Sequence, residues 1–90
     1  MLERINSLRT QIDRVDDRIL FLLKKRVNIA KKIAEVKFEN GLPIRDNHRE
    51  KEVLDSAASK AAREGLSPEL MRRIFREIVE LSTEAEKRTQ

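Results

Sequence analysis

The fold is decided by a stretch of 37 residues that contains neither glycine nor proline, Leu2 to Phe38: LERINSLRTQIDRVDDRILFLLKKRVNIAKKIAEVKF. Its apolar residues recur at alternating intervals of three and four, which is the heptad pattern of a helix that packs along another helix. They are Ile5, Leu8, Ile12, Val15, Ile19, Leu22, Ile29, Ile33 and Val36. The pattern is interrupted at position 26, where an arginine takes the apolar place. We therefore predict one uninterrupted helix over about residues 2–39.

A loop and a second helix are predicted next. The stretch NGLP at 40–43 ends the first helix, because glycine can cap a helix and proline cannot continue it. After a loop over about 40–45, Asp46 or Asn47 can cap a second helix over about 46–64. Glu50 stands three residues after Asn47, so the two can form a capping box.

The third helix follows Gly65, which ends the second. Ser67 is a good N-cap and Pro68 suits the first helical position, so this helix is expected over about 68–88. The few glycines and prolines and the 40% charged content also favour helices over a sheet. We predict an all-α fold with three helices per chain, one long and two shorter, in a single domain over 1–90.

The length of the first helix predicts a dimer. At about 1.5 Å per residue it would be roughly 55 Å long, which exceeds the span of a compact 90-residue domain. The second and third helices, at roughly 27 and 33 Å, can cover only one side of it. The rest of the apolar stripe needs a second copy of the first helix, so we predict an intertwined homodimer.

Composition excludes several classes of protein. The chain has no cysteine and a single histidine, His48, so neither a disulfide framework nor a metal cluster is expected. The N-terminus lacks the apolar segment of a signal peptide, and the longest apolar run, Ile19 to Leu23, is too short for a bilayer. We therefore expect a cytoplasmic protein with no membrane partner.

The net charge of +4 suits an anionic partner, whether nucleic acid, an acidic protein or a small polycarboxylate. Sixteen acidic residues are interspersed with the twenty basic ones, however, and a solvated helix surface has the same composition. The positions of the charges are therefore more informative than their sum.

Several polar residues lie on stripes that are otherwise apolar. Arg26 stands on the heptad pattern, and Lys37, eleven residues later, points within about 20° of the same direction. The triplet Asp46, Arg49 and Glu50 extends the apolar face of the second helix toward its N-terminus. On the third helix, the stripe formed by Phe75, Ile78 and Val79 continues through Ser82 and Glu86.

Each of these charges has an ordinary structural explanation when it is taken alone. Arg26 can pair with Glu50, Lys37 can extend its charged end to solvent, and Glu86 can be solvated near the C-terminus. Together, however, they place cations and carboxyls on three inward stripes, and a cation-lined pocket between helices is suited to a carboxylate ligand. The residues alone predict a small-anion site in a helical dimer.

At this point the sequence resembles a known family, the short, monofunctional form of the all-helical chorismate mutases, over essentially the whole chain. The resemblance rests on the order and spacing of several motifs. They are Leu8-Arg9, Ile12-Asp13 and Asp16, then Leu22-Leu23-Lys24-Lys25-Arg26, Lys37, Pro43-Ile44-Arg45-Asp46, Arg49-Glu50, Ser82 and Glu86.

The resemblance implies a role for each matched residue. Arg9 and Arg26 would bind the two substrate carboxylates, and Lys37 and Glu86 would contact the ether oxygen. Asp46 and Glu50 would hold the ring hydroxyl, with Arg49 and Ser82 assisting. An apolar lining is implied for Ile33, Val53, Val79 and Thr83.

Arg9 lies 28 residues before Lys37, or about 42 Å along a continuous helix, so the two cannot share a pocket within one chain. If Arg9 binds this ligand, it must come from the other subunit of the homodimer.

The implied reaction is the Claisen rearrangement of chorismate to prephenate in phenylalanine and tyrosine biosynthesis. It needs no cofactor, no metal and no covalent intermediate. Catalysis would come from holding the flexible enolpyruvyl group over the ring and from donors at the ether oxygen, with Lys37, Glu86 and Arg26 as the catalytic residues. Some family members carry glutamine at the position of Glu86. Glu86 can donate a hydrogen bond there only when it is protonated, which burial favours and Lys37 opposes.

Two other functions compete with this one. An isochorismate-pyruvate lyase of the same fold would use a similar cationic pocket, although the set Asp46, Arg49 and Glu50 favours the mutase. A helical interaction or nucleic-acid-binding module would explain the heptad pattern and the basic charge. It would not explain why the selected cations lie on apolar stripes instead of one exposed face.

Overall fold

The structure is a computed structural model that describes residues 1–89. These residues form three α-helices and no strand: α1 over Leu2–Glu39, α2 over Asn47–Arg63 and α3 over Pro68–Thr89. The predicted all-α fold with one long and two shorter helices is confirmed. Gln90, the last residue of the predicted domain, lies outside the described residues.

The two glycines form the ends of α1 and α2. Gly41 has φ +65° and Gly65 has φ +72°, the left-handed region that glycine adopts without a steric cost. After α1, the Leu42 N–H donates to the Lys37 carbonyl at 2.8 Å; after α2, the Leu66 N–H donates to the Ala61 carbonyl at 2.9 Å. Both ends are therefore Schellman motifs, which satisfy carbonyls that the helix leaves unpaired.

The N-termini of α2 and α3 are capped by side chains. Asp46 Oδ1 accepts a hydrogen bond from the Arg49 N–H at 3.0 Å, and Ser67 Oγ accepts one from the Leu70 N–H at 3.2 Å. The capping box predicted between Asn47 and Glu50 is wrong, because Asp46 is the cap and Arg49 is the third helical residue. The Glu50 carboxylate instead forms an ion pair with Arg45.

Helix α3 packs against both α1 and α2. The buried apolar residues are all alanines, which allow helix backbones to approach closely. They are Ala30 and Ala34 on α1 and Ala57, Ala58 and Ala61 on α2. Both α1 alanines belong to its C-terminal third, so that is where the helices of one chain converge.

The rest of α1 extends beyond this core. The chain measures 59 × 26 × 14 Å, and its radius of gyration is 16.6 Å, against about 12 Å for a compact domain of this length. The heptad residues remain open to solvent within one chain: Ile12 is 60% exposed and Val15 is 54% exposed. No helix within residues 1–89 is long and apolar enough to cross a membrane.

Candidate functional site

The three helices line a half-open cavity of about 430 Å³ beside the alanine core. Each helix contributes both polar and apolar side chains to its wall. The lining residues are Arg26, Ile29, Ala30, Ile33 and Lys37 from α1, Ile44 and Asp46 from the loop, Arg49, Glu50 and Val53 from α2, and Val79, Ser82, Thr83 and Glu86 from α3. Because α3 contacts both other helices, it holds the α1 and α2 walls in register.

Arg26 forms one charged end of the wall. Its Nη1 donates a hydrogen bond to Ser82 Oγ at 2.5 Å, and Ser82 is buried. Burial lowers the pKa of Arg26, the nearby Arg49 lowers it further, and Glu86 opposes both. A guanidinium nevertheless keeps its proton at physiological pH. Since one hydrogen bond uses one of its five N–H groups, Arg26 retains donors for an anion in the cavity.

Lys37 and Glu86 face each other across the cavity wall. Lys37 Nζ donates to the Ile44 carbonyl at 2.6 Å and lies 3.9 Å from Glu86 Oε2. That oxygen is buried and accepts no hydrogen bond from any residue in 1–89. Burial raises the pKa of Glu86; Lys37 and Arg26 act against this rise, and Glu50 adds to it. The environment therefore favours a protonated carboxyl group more than water does.

The start of α2 supplies three further charges. Asp46 is held by its capping bond to Arg49, whose guanidinium Nη1 lies 3.6 Å from Glu52 Oε1. Glu50 Oε1 lies 2.9 Å from Arg45 Nη1. Glu50 is thus paired with Arg45, and the alternative of an Arg26–Glu50 pair is not what the structure contains.

The cavity brings together most of the residues that the sequence singled out. Seven of the eight polar site residues line it: Arg26, Lys37, Asp46, Arg49, Glu50, Ser82 and Glu86. The residues expected to form the apolar lining line it as well: Ile33, Val53, Val79 and Thr83, whose hydroxyl makes it the one polar member. Arg9 does not, because it stands 17 residues before Arg26, about 26 Å along the continuous helix α1.

Two residues at this site, Ile44 and Arg45, make contacts that the sequence did not predict. The Ile44 carbonyl that accepts a hydrogen bond from Lys37 is a backbone group, so the identity of the residue as isoleucine does not predict the contact. The motif Pro43-Ile44-Arg45-Asp46 predicts no role for Arg45, although Arg45 forms ion pairs with Glu50 and Glu80.

Fold and site together define a small all-helical protein whose three helices line a cavity with three cationic and three acidic side chains. The family model for chorismate mutase type II matches residues 8–87. The chain therefore belongs to the chorismate mutase type II family, an isomerase family, as the motifs predicted.

Individual relatives agree with this assignment. A chorismate mutase structure from Thermus thermophilus superposes with a TM-score of 0.89 at 35% identity, covering 94% of this chain and 96% of that one. A chorismate mutase from Methanocaldococcus jannaschii is 32% identical over 80 residues, or 89% of this chain and 81% of the relative. A bifunctional chorismate mutase/prephenate dehydratase from Aquifex aeolicus is 37% identical over 90 residues, and this chain spans about a quarter (25%) of its length.

Proposed function

We propose that this chain catalyses the rearrangement of chorismate to prephenate, a step toward phenylalanine and tyrosine, without a cofactor. The observation that carries the proposal is the convergence of seven motif residues, from the three helices and the loop between α1 and α2, on one cavity in a member of this family. Its volume of about 430 Å³ falls in the range of small-molecule sites. The cytoplasmic location predicted from the sequence stays a prediction.

Chorismate carries two carboxylates, an ether oxygen and a ring hydroxyl; the wall of one chain offers groups for all of them except the second carboxylate. In the proposal, Arg26 binds one carboxylate with Ser82 and Arg49 assisting. Lys37 and Glu86 contact the ether oxygen, and Asp46 and Glu50 accept from the hydroxyl. Arg9 of the partner subunit binds the second carboxylate.

The proposed catalysis is positioning combined with electrostatic stabilisation. The rearrangement breaks a C–O bond and forms a C–C bond within one molecule, so no group need take up a proton. The cationic side chains bind the carboxylates and so hold the two reacting carbons close together. The entropy cost of ordering the flexible substrate is therefore met on binding and does not add to the reaction barrier. Negative charge grows on the ether oxygen in the transition state, and Lys37 stabilises it with N–H groups that remain after its bond to Ile44.

The exposed heptad residues support the predicted homodimer. The chain has 7532 Å² of accessible surface, about 2,100 Å² more than a compact monomer of 10.5 kDa. Obligate homodimers bury about 2,000–5,000 Å² in total, or about 1,000–2,500 Å² per chain, so an interface along α1 would cover this excess. The same interface would bring Arg9 of the partner subunit to the cavity.

The test follows chorismate loss by the purified protein without added metal or cofactor and identifies the product. Prephenate is expected, and Arg26→Ala and Lys37→Ala should each lower kcat by about 10²–10³-fold, the usual effect of losing one transition-state donor. Lys60→Ala, an exposed lysine on α2, is the control and should keep full activity. Pyruvate formed from isochorismate, with no prephenate from chorismate, would instead identify the lyase.

A further inference from the structure

Arg45 does not line the cavity, yet it connects the three elements around it that follow α1: the α1–α2 loop, α2 and α3. It lies in the short loop between α1 and α2. Its Nη1 lies 2.9 Å from Glu50 Oε1 on α2, and its Nη2 lies 2.7 Å from Glu80 Oε1 on α3. A planar guanidinium can hold two carboxylates at once in a fixed geometry, which a lysine cannot do.

Both neighbours of Arg45 in the chain belong to the site. The Ile44 carbonyl accepts from Lys37 Nζ, and Asp46 lines the cavity while it caps α2. Three site groups thus depend on one anchored residue: the carbonyl that orients Lys37, the Asp46 carboxylate, and the Glu50 carboxylate.

We propose that Arg45 is a positioning residue of this site, which fixes Glu50 and the 44–46 segment through its paired carboxylates on α2 and α3. This inference rests on the proposed function. Small displacements of positioned groups are costly in catalysis, since a shift of about 1 Å can lower a rate about 10²-fold. Exposed ion pairs contribute little to folding stability, so the effect of Arg45 should appear in activity.

Arg45 also influences the pKa of Glu86 indirectly, through its ion pair with Glu50. The charged groups around Glu86 are Arg26 and Lys37 from α1, and Asp46, Arg49 and Glu50 from the loop and α2. Glu50 raises the pKa of Glu86, and Arg45 partly neutralises Glu50 at 2.9 Å. Removing Arg45 leaves the Glu50 charge uncompensated, so the pKa of Glu86 should rise further.

The chain offers a matched control on the same pair of helices. Arg72 on α3 lies 2.6 Å from Asp55 on α2, and its side chain is 39% exposed, as is that of Arg45. Neither Arg72 nor Asp55 lines the cavity. Arg72→Ala therefore removes an interhelical ion pair of the same kind without touching the site.

The experiment measures kcat and KM over a range of pH for Arg45→Ala, Arg45→Lys, Glu80→Gln and Arg72→Ala, with circular dichroism to check folding. Arg45→Ala should lower kcat/KM by about 10–100-fold, Arg45→Lys should recover part of the loss, and Arg72→Ala should stay within about twofold of wild type. Adding Glu80→Gln to Arg45→Ala should cause little further loss, because both substitutions remove the same Arg45–Glu80 ion pair. Equal kcat/KM in Arg45→Ala and Arg72→Ala would overturn the proposal.

A second readout needs no substrate. Carbon-13 NMR of the Glu86 carboxyl in the free protein should show a higher titration midpoint in Arg45→Ala than in wild type, and an unchanged one in Arg72→Ala. An unchanged midpoint in Arg45→Ala would refute the electrostatic link. If wild type fails to turn over chorismate, the proposed function fails, and this titration still decides the link between Arg45 and Glu86.

Discussion

Glu86→Gln tests the least usual feature of the site, a carboxyl group in a place where the proposed chemistry needs a hydrogen-bond donor. Burial, with a smaller contribution from Glu50, raises the pKa of Glu86 against the opposing influence of Lys37 and Arg26. Below that pKa the neutral carboxyl can donate to the ether oxygen; above it the carboxylate only accepts. We therefore expect wild-type kcat to fall as the pH rises through the Glu86 pKa, and Glu86→Gln to remove this fall.

The size of the fall follows from the protonated fraction. Each pH unit above the pKa lowers that fraction about tenfold, which adds about 1.4 kcal/mol to the apparent barrier. Losing one preorganised donor typically costs about 10²–10³-fold in kcat. The decline should therefore level off about two to three pH units above the pKa, where the ionised form supplies the remaining activity.

The assay is a pH profile of kcat for wild type, Glu86→Gln and Glu84→Gln. Glu84 lies two residues away on α3 and pairs with Arg88 on the protein surface, so its variant should match wild type. Parallel wild-type and Glu86→Gln profiles, or a wild-type kcat that rises with pH, would refute the reasoning.

Three further outcomes are expected. Inactive Arg9→Ala and Lys37→Ala chains, unfolded and refolded together, should regain about a quarter of wild-type activity, because half of the dimers are mixed and each has one intact site; no recovery would contradict a shared site. Val15→Asp puts a charge on the exposed heptad stripe, so sedimentation should show monomers with no activity, and an active dimer would place the interface elsewhere. Gly41→Ala and Gly65→Ala should each lower the free energy of unfolding by about 1–2 kcal/mol, because alanine is strained at positive φ; an added Cβ would meet open space, so no clash contributes. Urea unfolding measures this change, and stability equal to wild type would refute it.

Much of the fold could be predicted because its signals are local. Helix α1 contains no glycine or proline, and a glycine follows the end of both α1 and α2. Each of these signals affects only the backbone within a few residues of its own position. The cavity could be predicted in outline because a charge on an apolar stripe marks an inward position before the tertiary structure is known. Arg26 and Glu86 were found in this way.

The missed contacts depend on tertiary structure that no local pattern encodes. Arg45 and Glu80 are 35 residues apart, and nothing distinguishes them among the 36 charged residues of the chain. The Ile44 carbonyl is a group that every residue has. Asp46, not Asn47, caps α2, which made the predicted capping box wrong. This choice is consistent with the anchoring of the loop by Lys37, which donates to the Ile44 carbonyl, and by Arg45, which pairs with Glu80.

The interruption of the heptad pattern at Arg26 is expected to cost folding stability, and the proposed function gives a reason for it. Burial shifts the pKa of Arg26 downward and that of Glu86 upward, so the cavity disfavours both charged forms. Arg26→Leu would complete the apolar stripe of α1 and remove a half-buried charge, and such replacements often leave stability unchanged or raise it. We expect a thermal midpoint at or above that of wild type together with a kcat/KM lowered by at least about 10²-fold. A destabilised Arg26→Leu protein would mean that the Arg26–Ser82 hydrogen bond supports the fold, and retained activity would remove Arg26 from the carboxylate site.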